Sequence, residues 1–296
     1  MKRTKQHRKP DAILCSDFHL REDTPVCRTD DYQMVQWKKV EFIRHLQMKY
    51  DCDVYHAGDL FHHWKPSPNL LSKAILLLPQ KFHTIYGQHD LPQHNFELRH
   101  KSGIHTLQVD GTLEVLDECH WGQEPEEYSM RFAAGTPYTR DMLVWHKMTY
   151  QGKKLWPGQT DPTASKLLKK YPQFDLIVTG DNHKPFVEEY EGRLLVNPGS
   201  MMRSTADQID HTPRVYLWYA DTNTVKPVYL PIEQDVISRE HIDRTGKRDD
   251  RIDAFISKLD NDWEAEMSFT ENLERFAKTN QVRQSVMDIV YKSIES

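Results

Sequence analysis

The chain contains no long apolar run. Its most hydrophobic stretch, Ala74 to Leu78 with Leu70 and Leu71 just before it, falls far short of the roughly 20 residues that span a bilayer, and no apolar leader segment follows the basic N-terminus. A soluble, unexported, cytoplasmic protein with no membrane partner is expected. Cysteine is scarce as well. Cys15, Cys27, Cys52 and Cys119 form no C-x-x-C pair and meet no histidine at zinc-finger spacing, which argues against a disulfide framework and a structural zinc site. Internal repeats and low-complexity blocks are missing. Positive charge is not in excess either: 39 basic against 44 acidic residues leave a net charge of -5, so the bulk electrostatics call for no polyanionic partner. The local exception is Lys2, Arg3, Lys5, Arg8 and Lys9, a basic arm within residues 1–10 that either tracks a phosphate backbone or stays solvated.

Hydrophobic residues make up 38% of the 296, enough for one large buried core with a small appendage. Short apolar runs at Ala12 to Ser16, Asp53 to Ala57, Phe82 to Tyr86, Met142 to His146 and Phe174 to Thr179 suit strands covered on both faces. Helical periodicity fills the intervals from Gln33 to Tyr50 and from Leu70 to Leu78, the latter behind a Pro-Ser-Pro start. Strand and helix alternate through the first half. Later runs at Leu113 to Leu116, Arg131 to Ala134, Phe186 to Tyr190, Leu194 to Asn197, Val215 to Tyr219 and Val225 to Leu230 follow one another by short turns, which predicts a second sheet packed on the first. The expected fold class is an α/β sandwich of two sheets with helices on the outer faces, occupying residues 11–230. Acidic residues between Asp117 and Glu127 read as a solvated loop. Beyond Pro231, a linker or reduced cap (231–260) and a helical tail (261–296) are expected. Ile252, Phe255, Ile256 and Leu259 share one helical face, Val282, Val286, Ile289 and Val290 another, and a third helix is expected around Leu273 and Phe276.

Histidine is plentiful, at sixteen residues, and several stand beside Asp or Gly where apolar runs stop. Asp17-Phe18-His19 follows the first run, Gly58-Asp59 the second and Gly87-Gln88-His89-Asp90 the third; His146 closes the next, and Gly180-Asp181-Asn182-His183 the last. In a layered α/β fold the carboxyl ends of parallel strands converge on one crevice, so these groups can meet despite their separation in sequence. Together they offer carboxylates, an amide oxygen and imidazoles, a mixed oxygen and nitrogen set suited to manganese, iron or zinc. Two such ions ~3.5–4 Å apart neutralise a phosphate and stabilise its leaving oxygen. One carboxylate must bridge them, and Asp59 is the natural choice. A single D-x-H means little, whereas five such elements in one order are a strong signal.

That order resembles the calcineurin-like metallophosphoesterase superfamily, whose pattern runs D-x-H, G-D, G-N-H-D, H and G-H-x-H; the likeness spans Asp17 to His183. Position by position, it implies Asp17, His19, Asp59 and His183 around one divalent ion and Asp59, Gln88, His146 and Asp181 around a second. His89 would be the family's second-sphere histidine, polarising the phosphate or protonating the leaving oxygen. Two positions depart from the pattern: Gln88 stands for the family's Asn, and Asp181 for the first His of G-H-x-H. Both keep a donor atom, which fits a second site retuned toward manganese or magnesium, or a weakened one.

The stretch Gly58-Asp59-Leu60-Phe61-His62-His63-Trp64-Lys65-Pro66-Ser67 is similar to the matching turn of SbcD and Mre-eleven nucleases. The likeness implies a substrate-orienting role for His62, a DNA exonuclease activity with or without endonuclease activity, and an SbcC-like coiled-coil ATPase partner gripped by the C-terminal helices. It also implies a homodimer. Asn197-Pro198-Gly199-Ser200 matches a turn spread more widely through the superfamily. His45, His56, His83, His94, His100, His105 and His120 read as packing or surface residues. Two other functions remain open on the sequence: a phosphodiesterase or phosphatase acting on small nucleotides, and a scaffold that keeps the fold without catalysis.

Overall fold

The computed structural model describes residues 9–117, 119–125, 130–133, 139–240, 242 and 269–294. The chain divides into two compact units, Met1–Ser238 and Arg239–Ser296. Among the described residues, the first carries eleven strands in two sheets. In chain order its elements are β1 (Ala12–Cys15), α1 (Tyr32–Tyr50), β2 (Asp53–His56), α2 (Pro68–Leu77), β3 (Phe82–Thr84), α3 (Gly103–Asp110), β4 (Glu114–Val115), β5 (Met130–Ala133), β6 (Thr139–Trp145), α4 (Ala164–Lys170), β7 (Leu176–Thr179), β8 (Phe186–Tyr190), β9 (Arg193–Asn197), β10 (Arg214–Tyr219) and β11 (Thr224–Tyr229). Sheet one runs β11-β10-β1-β2-β3-β4 and sheet two β5-β6-β7-β9-β8.

Period-two alternation explains the layering. In β1, Ile13 and Cys15 face α1, α2 and α3 with Val54, Val40, Ile43, Leu70 and Leu107, while Ala12 and Leu14 face the other sheet with Met142, Val144, Leu176, Val178 and Val196. Sheet two repeats the device: Leu143, Trp145 and Ile177 turn outward onto Leu167 and Leu168 of α4. Every residue of β1 and of β7 is buried, as expected where both faces are covered, and each large apolar side chain so enclosed contributes about 1.5–3 kcal/mol. The helices start where side chains cap them: Asp31 accepts from the Met34 N–H, and Ser67, ahead of Pro68, accepts from the Leu70 N–H.

The allotment of strands to sheets differs from the sequence expectation. The runs at 113–116, 215–219 and 225–230 do not join the second sheet: β4 pairs parallel with β3, and β10 returns antiparallel beside β1 with β11 outside it. Conversely, the runs at 142–146 and 174–179, grouped with the first half of the chain, form the centre of sheet two. Apolar patterning states that a strand is buried but not which neighbour it takes. Glu124 lies exposed in the acidic connection, where it accepts from Tyr171 Oη at 2.6 Å and pairs with Lys147 and Lys170.

The second unit contains α5 (Phe269–Thr279) and α6 (Gln284–Ile294), joined through Leu273, Phe276 and Met287. The helix expected around Ile252 to Leu259 and most of the basic arm lie outside the described residues. No helix among the described residues is long and apolar enough to cross a membrane.

One buried cation belongs to the core of the first unit. Lys39 of α1 is 1% exposed and donates from Nζ to the Met201 carbonyl at 2.9 Å. Burial, with Arg28 and Arg203 nearby, pushes its pKa down to about 7, against about 10.4 in an unfolded chain. Between these values the unfolded state binds more protons, so stability rises with pH across the window and is lost as pH falls toward 7. Lys39→Met removes the titration. Urea unfolding is expected to show wild type gaining on the variant by up to roughly 1.4 kcal/mol per pH unit between pH 7 and 9; a pH-independent difference would contradict the assignment.

Candidate metal centre

The parallel core strands of both sheets end at one edge of the sandwich, and each continues into a short loop bearing polar side chains. Asp17 and His19 follow β1, Asp59 follows β2, Gln88 and His89 follow β3, His146 follows β6, and Asp181 and His183 follow β7. The loops turn abruptly: Asp17, His19, Asp59 and Asp181 all have positive φ, between 45° and 75°, a region that costs a non-glycine residue on the order of 1–3 kcal/mol. Main-chain pairing between neighbouring loops continues past the strands and fixes these turns. The Asp17 N–H donates to Gly58 O at 3.1 Å, and the His19 N–H to Asp59 O at 3.0 Å. Close approach explains two glycines: a Cβ on Gly87 would lie 2.1 Å from Asp59 Oδ1, and one on Gly58, itself at φ +89°, would lie 2.4 Å from His146 Nδ1.

Asp59 stands at the centre. Its Oδ1 accepts from the His89 N–H at 2.9 Å, while its Oδ2 lies 3.6 Å from both His19 Nε2 and His146 Nε2. On the first side, His19 Nε2 is 3.9 Å from Asp17 Oδ1 and 3.1 Å from His183 Nε2, and His183 Nε2 is 4.0 Å from Asp17 Oδ1. On the second, Gln88 bridges: its Nε2 donates to Asp181 Oδ1 at 2.7 Å, and its Oε1 is 2.5 Å from His146 Nε2. The structure thus brings all seven expected ligands together. His146 Nδ1 lies 2.6 Å from Ala57 O. An oxygen at each ring nitrogen favours the protonated, charged form. Burial works against that charge, but Asp59, Asp17 and Asp181 together raise the His146 pKa above its ordinary value. Burial pushes Asp59 up strongly and His19 down, the latter further lowered by His183, His89, His62 and His146.

Whether this pocket suits a cation pair can be judged from its own unsatisfied atoms. Asp17 Oδ2 and Asp59 Oδ2 are buried and have no hydrogen-bond partner, a situation that costs several kcal/mol for a charged oxygen unless a cation compensates it. Asp17, His19 and His183 form one group of converging donor atoms, and Asp17, Asp59 and His146 another. The donor set fits. Asp17, His19, Asp59 and His183 would hold one ion, and Asp59, Gln88, His146 and Asp181 the other.

Next to the carboxylates, His89 Nδ1 lies 2.9 Å from His62 O. Because a carbonyl only accepts, Nδ1 carries the proton and Nε2 a lone pair. The His62 ring stacks on that of His89, centroids 5.4 Å apart, so the two expected catalytic histidines are neighbours. His63 is exposed and only accepts from the Lys65 N–H. His56 is a packing residue, fully buried against Phe18 and hydrogen-bonded to Thr84.

Several positioning residues escaped the sequence reading. Asp90 is 1% exposed and accepts from the N–H groups of Leu60, Phe61 and Gly87 at 3.0–3.1 Å, clamping the Asp59 loop to the His89 loop. Burial raises its pKa to about 6 in spite of those three donors. Asn197 donates to Asn182 O and Lys184 O, steadying the loop that carries His183, and Asn182 donates to Thr149 O. Ser200 and Met201 close the arrangement through bonds from their N–H groups to His183 O and Asp17 O, both 3.1 Å. The signal was present, since Asp90 ends Gly87-Gln88-His89-Asp90 and Asn197 opens a recognised turn. From Asp181 and His183 a cleft of about 610 Å³ extends past Met148, Lys184, Gln208 and Arg214.

Residues 11–217 match the family model described as the calcineurin-like phosphoesterase superfamily domain. No curated protein matches the chain. Among solved structures, an archaeal phosphodiesterase is 13% identical, covering 74% of this chain and 99% of that one at a TM-score of 0.43. A putative 5'-nucleotidase from Staphylococcus aureus is 15% identical over 76% of this chain and 54% of its own, at a TM-score of 0.45. Vps29 from Entamoeba histolytica is 14% identical over 74% and 99%, at 0.35.

The bridging position of Asp59 makes a two-sided forecast. With metal chelated at pH 8, Asp59→Asn removes a buried carboxyl whose ionisation burial opposes and is expected to stabilise the fold by about 1–3 kcal/mol in urea. With saturating manganese the same variant should lose most of the metal-induced rise in melting temperature. Equal manganese stabilisation of variant and wild type would exclude Asp59 from the bridge.

Proposed function

We propose, from the premise that the chain belongs to the calcineurin-like phosphoesterase superfamily, that it hydrolyses DNA phosphodiester bonds using two divalent cations, manganese first among them, with magnesium, iron and zinc as lesser choices. The observation that carries the hydrolytic reading is Asp59 Oδ2, orphaned, buried and equidistant from a histidine on each side. A scaffold without catalysis has no need of two buried, unpaired carboxylate oxygens. Once bound, the cations would neutralise the phosphate and lower the pKa of an attacking water.

The remaining work falls to the chain itself. His89 has Nδ1–H committed to His62 O, which fixes its ring and aims Nε2 for proton exchange with the leaving oxygen. Burial lowers its pKa in the free protein, while an anionic phosphate docking beside it favours the protonated form. His62, stacked on His89, would orient the strand being cut.

The DNA reading is supported by the likeness of the Gly58 to Ser67 turn to SbcD and Mre-eleven nucleases and by the placement of His62 at the centre's edge. On the same reading α5 and α6 would grip an SbcC-like coiled-coil ATPase, two copies of the chain would pair, and the 231–260 segment would serve as a reduced cap. A second reading, hydrolysis of small nucleotide phosphodiesters, is favoured by the cleft beside Asp181 and His183, whose volume suits a single nucleotide.

Manganese-dependent rates on end-labelled duplex DNA and on bis-p-nitrophenyl phosphate decide between them. Faster turnover of DNA, with product lengths reporting direction, is the expected result; hydrolysis of the small diester alone would select the second reading. His89→Ala is expected to lower turnover by about 10²–10⁴ while elemental analysis still counts the same bound metal. His62→Ala should reduce the DNA rate more than the small-diester rate.

A further inference from the structure

At the mouth of the centre a third group of donors converges without any carboxylate. One ring nitrogen from each of His19, His62 and His89 lies within 4.8 Å of the other two. The His19 ring stands edge-on to both partners, at 88° to His89 and 67° to His62, and the latter two are nearly parallel, at 21°. Their hydrogen-bonding capacity is largely unspent. His89 uses Nδ1 on the His62 carbonyl and keeps Nε2. The His62 ring makes no hydrogen bond among the described residues. His19 turns Nε2 toward Asp59 and Asp17, yet its Nδ1 is buried with no partner. A buried polar nitrogen left unpaired costs on the order of 1–3 kcal/mol, so ordering this cluster without a ligand is unfavourable.

Three imidazoles with no anionic oxygen are poor ligands for magnesium or manganese and good ones for zinc, nickel or copper. Three histidines around one ion with a fourth position open is an arrangement that zinc adopts. At zinc–nitrogen distances near 2.0–2.1 Å the nitrogens would stand about 3.3 Å apart, so binding would draw the cluster in from its present spread of up to 4.8 Å.

We propose that His19, His62 and His89 form a zinc-selective site that shares His19 with the carboxylate-bridged pair and competes with its first ion for that residue, and that zinc bound there stops turnover by consuming the His89 lone pair and locking His62. The site stands on geometry alone; its inhibitory consequence rests on the hydrolytic reading above.

The test is calorimetric titration of zinc into protein held in excess manganese, with X-ray absorption at the zinc edge counting imidazoles. Wild type and His63→Ala, which alters the adjacent exposed histidine, are expected to bind zinc with equal affinity and three imidazoles. His62→Ala should lose at least tenfold in affinity and one imidazole, its circular dichroism unchanged. Zinc affinity and imidazole count identical in wild type and His62→Ala would overturn the site. In parallel, wild-type hydrolysis of bis-p-nitrophenyl phosphate should fall over the same zinc range in which the site fills; zinc bound through His62 with full activity overturns the inhibitory half. Wild type inert in manganese alone counts against the hydrolytic reading, while the binding data still judge the site.

Discussion

Two carboxylate oxygens, Asp17 Oδ2 and Asp59 Oδ2, are enclosed by protein and bonded to nothing, and the architecture around them makes sense only as a means of holding that charge in place. Left to themselves, such groups would neutralise or draw in water. Here their backbones are fixed by main-chain bonds between the β1 and β2 loops, their turns adopt positive φ, and glycines at 58 and 87 let neighbouring atoms come within contact distance. Strain of that kind persists only where the surroundings over-determine it.

The surroundings do so through a ring of buried polar residues that touch no candidate ligand atom. Asp90 ties two ligand loops of the first sheet together, Asn197 holds the His183 loop of the second, and the Ser200 and Met201 amides reach across to His183 and Asp17. Lys39 extends the chain outward, since Met201, whose N–H bonds to the Asp17 carbonyl, accepts at its own carbonyl from Lys39 Nζ. A helix of the outer layer is thereby connected to the Asp17 backbone through one residue. Packing of α1 and the aim of Asp17 are consequences of the same contacts.

Much of this was legible in the sequence, and the limits have physical causes. The apolar quartets of β1 and β7 were plain because strands covered on both faces carry no polar alternation, and the polar clusters at the strand ends pointed to one crevice because parallel strands share a carboxyl edge. Sheet membership was not legible. Val215 to Tyr219 is as apolar as any strand of the second sheet, and only tertiary pairing with β1 puts it in the first. Asp90 and Lys39 were equally hidden, since a residue that works by accepting backbone N–H groups, or by donating to one carbonyl, leaves no spacing to read. The His19, His62 and His89 cluster requires the fold, because its three members come from two different strand-end loops and a turn between them.

The two departures from the superfamily pattern acquire a meaning in this setting. Gln88 and Asp181 give the second side of the bridge oxygen donors, and they are bonded to each other at 2.7 Å, so the longer glutamine arm reaches His146 and Asp181 at once. Nitrogen is correspondingly concentrated on the other side, where His19 and His183 meet at 3.1 Å and His62 and His89 stand behind. Oxygen-rich and nitrogen-rich shells rank divalent ions differently. On the proposed two-cation reading, a pocket divided in this way would sort cations by hardness along its length, oxygen-preferring ions toward Asp181 and imidazole-preferring ions toward His62. Replacing a histidine by Asp181 is then more than a tolerated substitution: it widens the chemical contrast between the two ends of one continuous site.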